Sequence, residues 1–150
     1  LNAAKECLQK GLQINYNIMG DPAISALNTK IYTNLGVIED LQGSYSSALE
    51  YYVKALKISK LSYAESHPDI IDLHYKVSSV LLAMNKLTEA IARLERLLEH
   101  NLEINTMKLG SVYYTLGIAY ERGRKSAKAV MALKRAILLW RDCLPEDDQG

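Results

Sequence analysis

The chain has 150 residues, a formal net charge of +1, and 49% hydrophobic against 23% charged residues. That composition excludes a disordered tail and is long enough to bury a core. The balanced charge gives no reason to expect a nucleic acid or an anionic membrane as partner. Three prolines and eight glycines leave room for long helices. Cys7 and Cys143 lie near opposite ends, which argues against a disulfide framework and for buried or half-buried thiols in a reducing compartment. No apolar run approaches the ~18 residues of a membrane span. The opening Leu1-Asn2-Ala3-Ala4-Lys5 has neither the charged nor the apolar region of a signal peptide, so a cytoplasmic or nuclear setting is expected, with cytoplasmic the first choice.

The first element, from Leu1 to about Met19, carries Ala4, Leu8 and Gly11 at helical spacing and predicts one helix. Asp21-Pro22 then reads as an N-cap followed by proline at the first helical position, where a missing N–H costs nothing. A helix holding Tyr32-Thr33-Asn34-Leu35-Gly36 follows. It breaks at Gln42-Gly43-Ser44 and gives way to a second helix with Ala48, Tyr52 and Ala55. Ser66-His67-Pro68-Asp69 reads as a capping-box variant with Ser66 as the cap. The next pair carries His74, Val77, Ser78 and Leu81, a break at Met84-Asn85-Lys86, then Ala90, Leu94 and Leu97. The last pair carries Tyr113-Tyr114-Thr115-Leu116-Gly117, a break at Arg122-Gly123-Arg124-Lys125, then Ala129, Leu133 and Ala136, and Pro145 ends it. Gly or Asn just past a helix can take the left-handed conformation that closes it.

These segments align with one another. The alanines at 48, 90 and 129 are 42 and 39 residues apart, and such self-similarity is the mark of a repeat architecture. Gly36 and Gly117 are expected to face Ala48 and Ala129, so that small side chains let the two helix axes approach closely. His74 and Ser78 replace the Tyr and Gly of the other units, which predicts looser packing in the middle one. The expected organisation is a helix over 1–20 that is the second half of a truncated unit, full units over 21–64, 65–103 and 104–145, and an acidic tail or linker over 146–150. The fold class that follows is all-α, a superhelical solenoid of about seven helices in antiparallel pairs. Trimmed of its first helix, the N-terminal unit could expose apolar surface and let the isolated chain self-associate.

Tyr-x2-Leu-Gly at Tyr32–Gly36 and Tyr113–Gly117, with Ala twelve residues after the Gly and Tyr52 or Leu133 four later, resembles the tetratricopeptide repeat motif. Tyr stands where that family usually has Trp. The period of about 40 exceeds the family's usual 34 and is similar to the long repeats of kinesin light chains. The added residues, 57–64, would make about two turns, or ~12 Å, so a longer second helix is expected in each pair. The resemblance implies a non-enzymatic scaffold that binds a protein or peptide in a concave groove lined by the first helices, without cofactor. Carried over position by position, it places Lys30, Thr33, Asn34, Val37, Asp40 and Leu41 in the groove from the first unit. The second offers Asp72, Tyr75, Lys76, Ser79, Leu82 and Ala83, and the third Ser111, Tyr114, Thr115, Ile118, Glu121 and Arg122.

Of these, Asn34 can both donate to and accept from a peptide backbone whatever its sequence. Tyr75 and Tyr114, at equivalent positions, could form an aromatic wall. The chaperone-tail clamp found in some family members is not expected, because Thr33 and Val37 replace its Lys and Asn, and Asp72 and Ser111 stand where basic residues would help. Lys30 and Lys76 could still each attract one acidic side chain. His67, His74 and His100 are too scattered for a metal site, and His74 sits at a packing position. Asp69 and Asp72 read as helix N-terminal charge rather than a catalytic pair. The basic run Arg122, Arg124, Lys125, Lys128, Lys134, Arg135 and Arg141 falls around several helix faces and reads as solvated, and Trp140 is expected to pack on a neighbouring unit. A spacer or self-assembly segment of a larger repeat protein is the alternative role.

Overall fold

The computed structural model describes residues 1–15, 22–100 and 104–143. Seven helices follow in order: α1 (Asn2–Asn15), α2 (Pro22–Leu41), α3 (Tyr45–Ser62), α4 (Pro68–Ala83), α5 (Leu87–His100), α6 (Thr106–Arg122) and α7 (Ser126–Arg141). No strand occurs among the described residues. Helices adjacent in the chain pack together, and among the described residues the only other substantial contact joins α4 to α6. The result is an α-α solenoid whose first helices (α2, α4, α6) and second helices (α3, α5, α7) form two layers.

The turns inside the three pairs are copies of one another. Ser44, Lys86 and Lys125 donate their backbone N–H to Glu39, Leu81 and Tyr120, while Gly43, Asn85 and Arg124 donate theirs to Asp40, Leu82 and Glu121. This is the paired Schellman pattern, which satisfies carbonyls that the helix end would otherwise orphan. It needs one left-handed residue, supplied by Gly43 (φ 75°), Asn85 (φ 60°) and Arg124 (φ 57°). In the third turn the expected glycine does not do this: Gly123 has φ −79°, and the strained position falls to an arginine.

Other expectations are corrected. The cap of α4 is His67, not Ser66. Its Nδ1 accepts from the Asp69 N–H at 3.2 Å, and Pro68 takes the first helical position. Proline fixes φ without needing a partner for an N–H, and that shifts the cap one residue on. Of the added residues 57–64, 57–62 extend α3 as expected, but the other second helices run only 14 and 16 residues, so the lengthening is not repeated in each pair. Residues 63–64 belong to the link between Ser62 and Pro68, where Tyr63 stacks on His67 at 4.0 Å. Helix α7 ends at Arg141 with Asp142 as its cap, while Asp21 and Pro145 lie outside the described residues.

Gly36 and Gly117 do mark close approach, and the side chain nearest each is the large one on the second helix. A Cβ at Gly36 would lie 2.5 Å from the Tyr52 ring, and one at Gly117 would lie 2.7 Å from Leu133. The glycine makes room for the large residue four positions after the conserved-register alanine. Tyr52 fills that space and is almost wholly buried, which is worth several kcal/mol, of order 3–5 on truncation. The middle unit is not loosely packed on its core side. Ile70, Leu73, Val77, Val80 and Leu81 of α4 are all buried, because α4 has neighbours on both sides.

At the N-terminal end, α1 docks on α2. Gly11 lies against Ile31, and Lys5 forms an ion pair with the buried Glu39. That hydrogen bond is the main cause raising the Lys5 pKa. Cys7 is exposed rather than buried, and Cys143 is half-buried; both are free thiols.

Candidate partner-binding face

The inner layer brings together residues from α4 and α6 one unit apart. The Tyr75 hydroxyl lies 3.2 Å from Thr115 Oγ1, and the Thr115 hydroxyl also reaches back to the Ser111 carbonyl at 3.0 Å. Lys108 Nζ sits 4.8 Å from the centre of the Tyr75 ring and binds Asp72. Lys76 pairs with the same Asp72 at 3.1 Å, one helical turn away. Burial works to raise the Asp72 pKa, but the bond from Lys108 and the charge of Lys76 outweigh it and hold the carboxylate below its ordinary value. Asp40 moves the other way, raised by burial despite the nearby Lys76. Arg122 Nη1 donates to the Leu82 carbonyl at 3.2 Å, a further tie between α4 and α6.

The centre of this face is therefore internally satisfied. Lys76 is committed to Asp72 rather than waiting for an acidic partner. Thr115 is buried, and Thr33 donates to the Thr29 carbonyl at 2.8 Å. Val37, Ser79 and Ile118 are half-buried, with Val37 and Ile118 packed against the core. The ends of the face differ. Lys30 and Asn34 on α2 are exposed, and no hydrogen bond or ion pair engages either side chain among the described residues. Tyr114 on α6 is 46% exposed and leans on Trp140 with ring centres 5.5 Å apart.

The expected aromatic wall thus takes another form. Tyr75 and Tyr114 make no ring contact with each other among the described residues. Tyr114 pairs with Trp140, whose indole covers Gly110 and donates to the Met107 carbonyl at 3.3 Å. Trp140 therefore packs on the first helix of its own pair rather than on a neighbouring unit. Lys108 was not among the expected groove residues; its position near the start of α6, outside the motif, gave no signal.

The outer layer holds two open clefts at equivalent places in the repeat. One, of about 600 Å³, lies between α3, α4 and α5 and is lined by Leu56, Lys60, Glu65, His74, Arg93 and Arg96 among others. His74 is not simple core filler: its Nε2 lies 3.5 Å from Glu65, which Lys60 also binds at 2.7 Å. Burial, then the charge of Lys60, lowers the His74 pKa, and the contact with Glu65 opposes them. The other cleft, of about 610 Å³, lies between α5, α6 and α7, with Leu98, Tyr113, Leu116 and Met131 on its apolar side. There Tyr120 donates to Glu95, and burial with that neighbouring charge pushes its pKa up to about 12. No group of three His, Cys, Asp or Glu side chains among the described residues is placed to hold a metal ion, and no described helix is long and apolar enough to cross a membrane.

Two layers of paired helices, joined only through neighbours, define a helical-repeat scaffold. The sequence says which kind: residues 28–103 match the tetratricopeptide repeat family, and the chain belongs to it. That fold generally serves as a non-catalytic protein-interaction scaffold. Among solved structures, the chain is similar to BtubC (BKLC) from P. vanneervenii, with a TM-score of 0.79 and 17% identity over 97% of this chain. It is also similar to the "putative kinesin light chain nearly identical TPR-like repeats" of Podosopora anserina, with a TM-score of 0.69 and 16% identity over 81% of this chain. The chain spans 60% of the length of each. No curated protein sequence matches it.

Proposed function

We propose that the inner face binds an extended segment of a partner protein, entering along α2 and ending at the Tyr114–Trp140 pair. The observation that carries this reading is Asn34. Its exposed amide has no partner among the described residues, on a face whose centre is otherwise hydrogen-bonded and ion-paired. An amide so placed binds a backbone carbonyl and N–H at once, which gives affinity without sequence readout. Lys30 adds attraction for an acidic group, and Tyr114 with Trp140 adds apolar area for one aromatic or aliphatic side chain. The bound centre needs no rearrangement, so ordering costs are low there. We place the scaffold in the cytoplasm, where its two free thiols would stay reduced. The units 21–64, 65–103 and 104–145 are the natural blocks of this scaffold.

The test is a peptide-display selection against the chain, followed by affinity measurement. Alanine at both Asn34 and Tyr114 should weaken the selected peptides about tenfold or more, a loss of about 1.4 kcal/mol, with the helical signal unchanged. Peptides that bind the double variant as well as the parent, yet lose affinity on Lys128→Ala, would move the site to the outer cleft.

A further inference from the structure

The first helices of the second and third units are capped by different chemistry. Asn105 caps α6, its Oδ1 accepting from the Lys108 N–H at 2.8 Å. His67 caps α4, its Nδ1 accepting from the Asp69 N–H at 3.2 Å. An amide oxygen accepts at any pH. An imidazole nitrogen accepts only while it carries no proton, and the protonated ring is a donor at both nitrogens. The capped state therefore needs a neutral His67 with its hydrogen on Nε2. Tyr63 stacks on the ring with centres 4.0 Å apart. That stack is indifferent to the ring's charge, since an aromatic face also attracts a cation. The Asp69 carboxylate stands 3.9 Å from the same Nδ1. The other charged groups around the link are engaged with one another. Glu65 is held by Lys60 of α3 at 2.7 Å and faces His74 of α4 at 3.5 Å, while Arg93 of α5 opposes a charge on His74.

We propose that His67 is a pH-sensitive latch on the link between the first and second units: the neutral ring caps α4, and the protonated ring releases the Asp69 N–H and turns to the Asp69 carboxylate. A proton on Nδ1 sets donor against donor at the cap and puts a positive charge at the positive end of the helix dipole. The carboxylate beside it offers the charged ring a new partner. The first turn of α4 then opens locally. The rest of the helix stays in place, because Leu73, Val77 and Leu81 remain buried in the core. One partner is exchanged for another, so the thermal midpoint hardly follows the change. The same link carries Glu65, which lines the cleft of about 600 Å³ between α3, α4 and α5. The latch thus sets how firmly that wall of the cleft is held.

The experiment is an NMR titration of the whole chain across the range in which imidazoles titrate, from about pH 7.5 to about pH 5. The Asp69 amide proton should shift with the same midpoint as the His67 ring resonances. Amide exchange at residues 69–71, corrected for its intrinsic pH dependence, should speed about tenfold over that range, with none at residues 77–81. His67→Asn copies the cap of α6 and should abolish both effects, while His74→Tyr should leave both in place. An Asp69 amide that ignores the His67 titration would overturn the proposal. So would faster exchange that persists in His67→Asn, or that disappears in His74→Tyr, because another group would then hold the latch.

Discussion

The middle unit and the units on either side solve the same packing problem with different residues. The outer pairs place Gly36 and Gly117 beneath Tyr52 and Leu133. The middle pair has Ser78 and Leu94 at those positions, both buried, with the serine hydroxyl returned to the His74 carbonyl at 2.8 Å. Tyr32 and Tyr113 of the flanking units become His74, and the cleft beside His74 is lined by more charged side chains (Lys60, Glu65, Glu89, Arg93 and Arg96) than the one beside Tyr113 (Glu95, Glu99, Lys128 and Arg135). A helix held from both sides can depart from the motif on its outward positions, because its inward ones already bury Ile70, Val77 and Leu81. The motif is strictest where a unit has the large ring of Tyr52 to accommodate.

The sharpest way to break this comparison is to move the middle unit's serine into an outer one. Gly36→Ser should cost about 2–3 kcal/mol, since the Tyr52 ring stands where the new atoms would go; Ser78→Gly should cost only about 1 kcal/mol, the helix-propensity loss. Urea denaturation of both variants measures the difference. Next comes Tyr113→His, which copies His74 into the less charged cleft and should lose roughly 2 kcal/mol. The same denaturation curves would show parity with the parent if the cleft were as polar as its neighbour.

Turn chemistry gives a smaller, opposite effect. Arg124→Gly should stabilise by about 1 kcal/mol, because only glycine adopts φ 57° without steric cost, while Asn85→Gly should change little. The smallest effect is titration of His74. Its folded pKa lies below the ordinary 6.5, so the unfolded chain binds the proton first. Stability should be full above pH 6.5, fall as pH drops below it, and level off once the folded imidazole also protonates. Glu65, held below 4.5 chiefly by its bond from Lys60, adds a separate loss at more acid pH. The pH profile of His74→Tyr should lack the upper step.

Much of this architecture was legible in the residues. The repeated Tyr, Gly and Ala marked the pairs, and Gly43 and Asn85 marked two of the three turns. The third was misread, since Gly123 looked like the left-handed residue while the matching hydrogen bonds place Arg124 there. Local pattern reports composition, whereas the register of a turn is set by both helices it joins. The inner face was legible as a set of positions but not as a network. Lys108 lies outside the motif, and its links to Asp72 and Tyr75 depend on how α6 lies against α4. Trp140 was misplaced for a similar reason: Gly110, which makes room for its indole, is one turn beyond the aligned motif.

The habit of touching only neighbours has a mechanical side. With no substantial contact bridging distant units among the described residues, a pull applied to the two ends is borne by one helix-pair joint after another, never by all of them together. Such a chain should lengthen in steps under force, shedding α1 before the doubly flanked α4 gives way, and recover its length by the same steps when released.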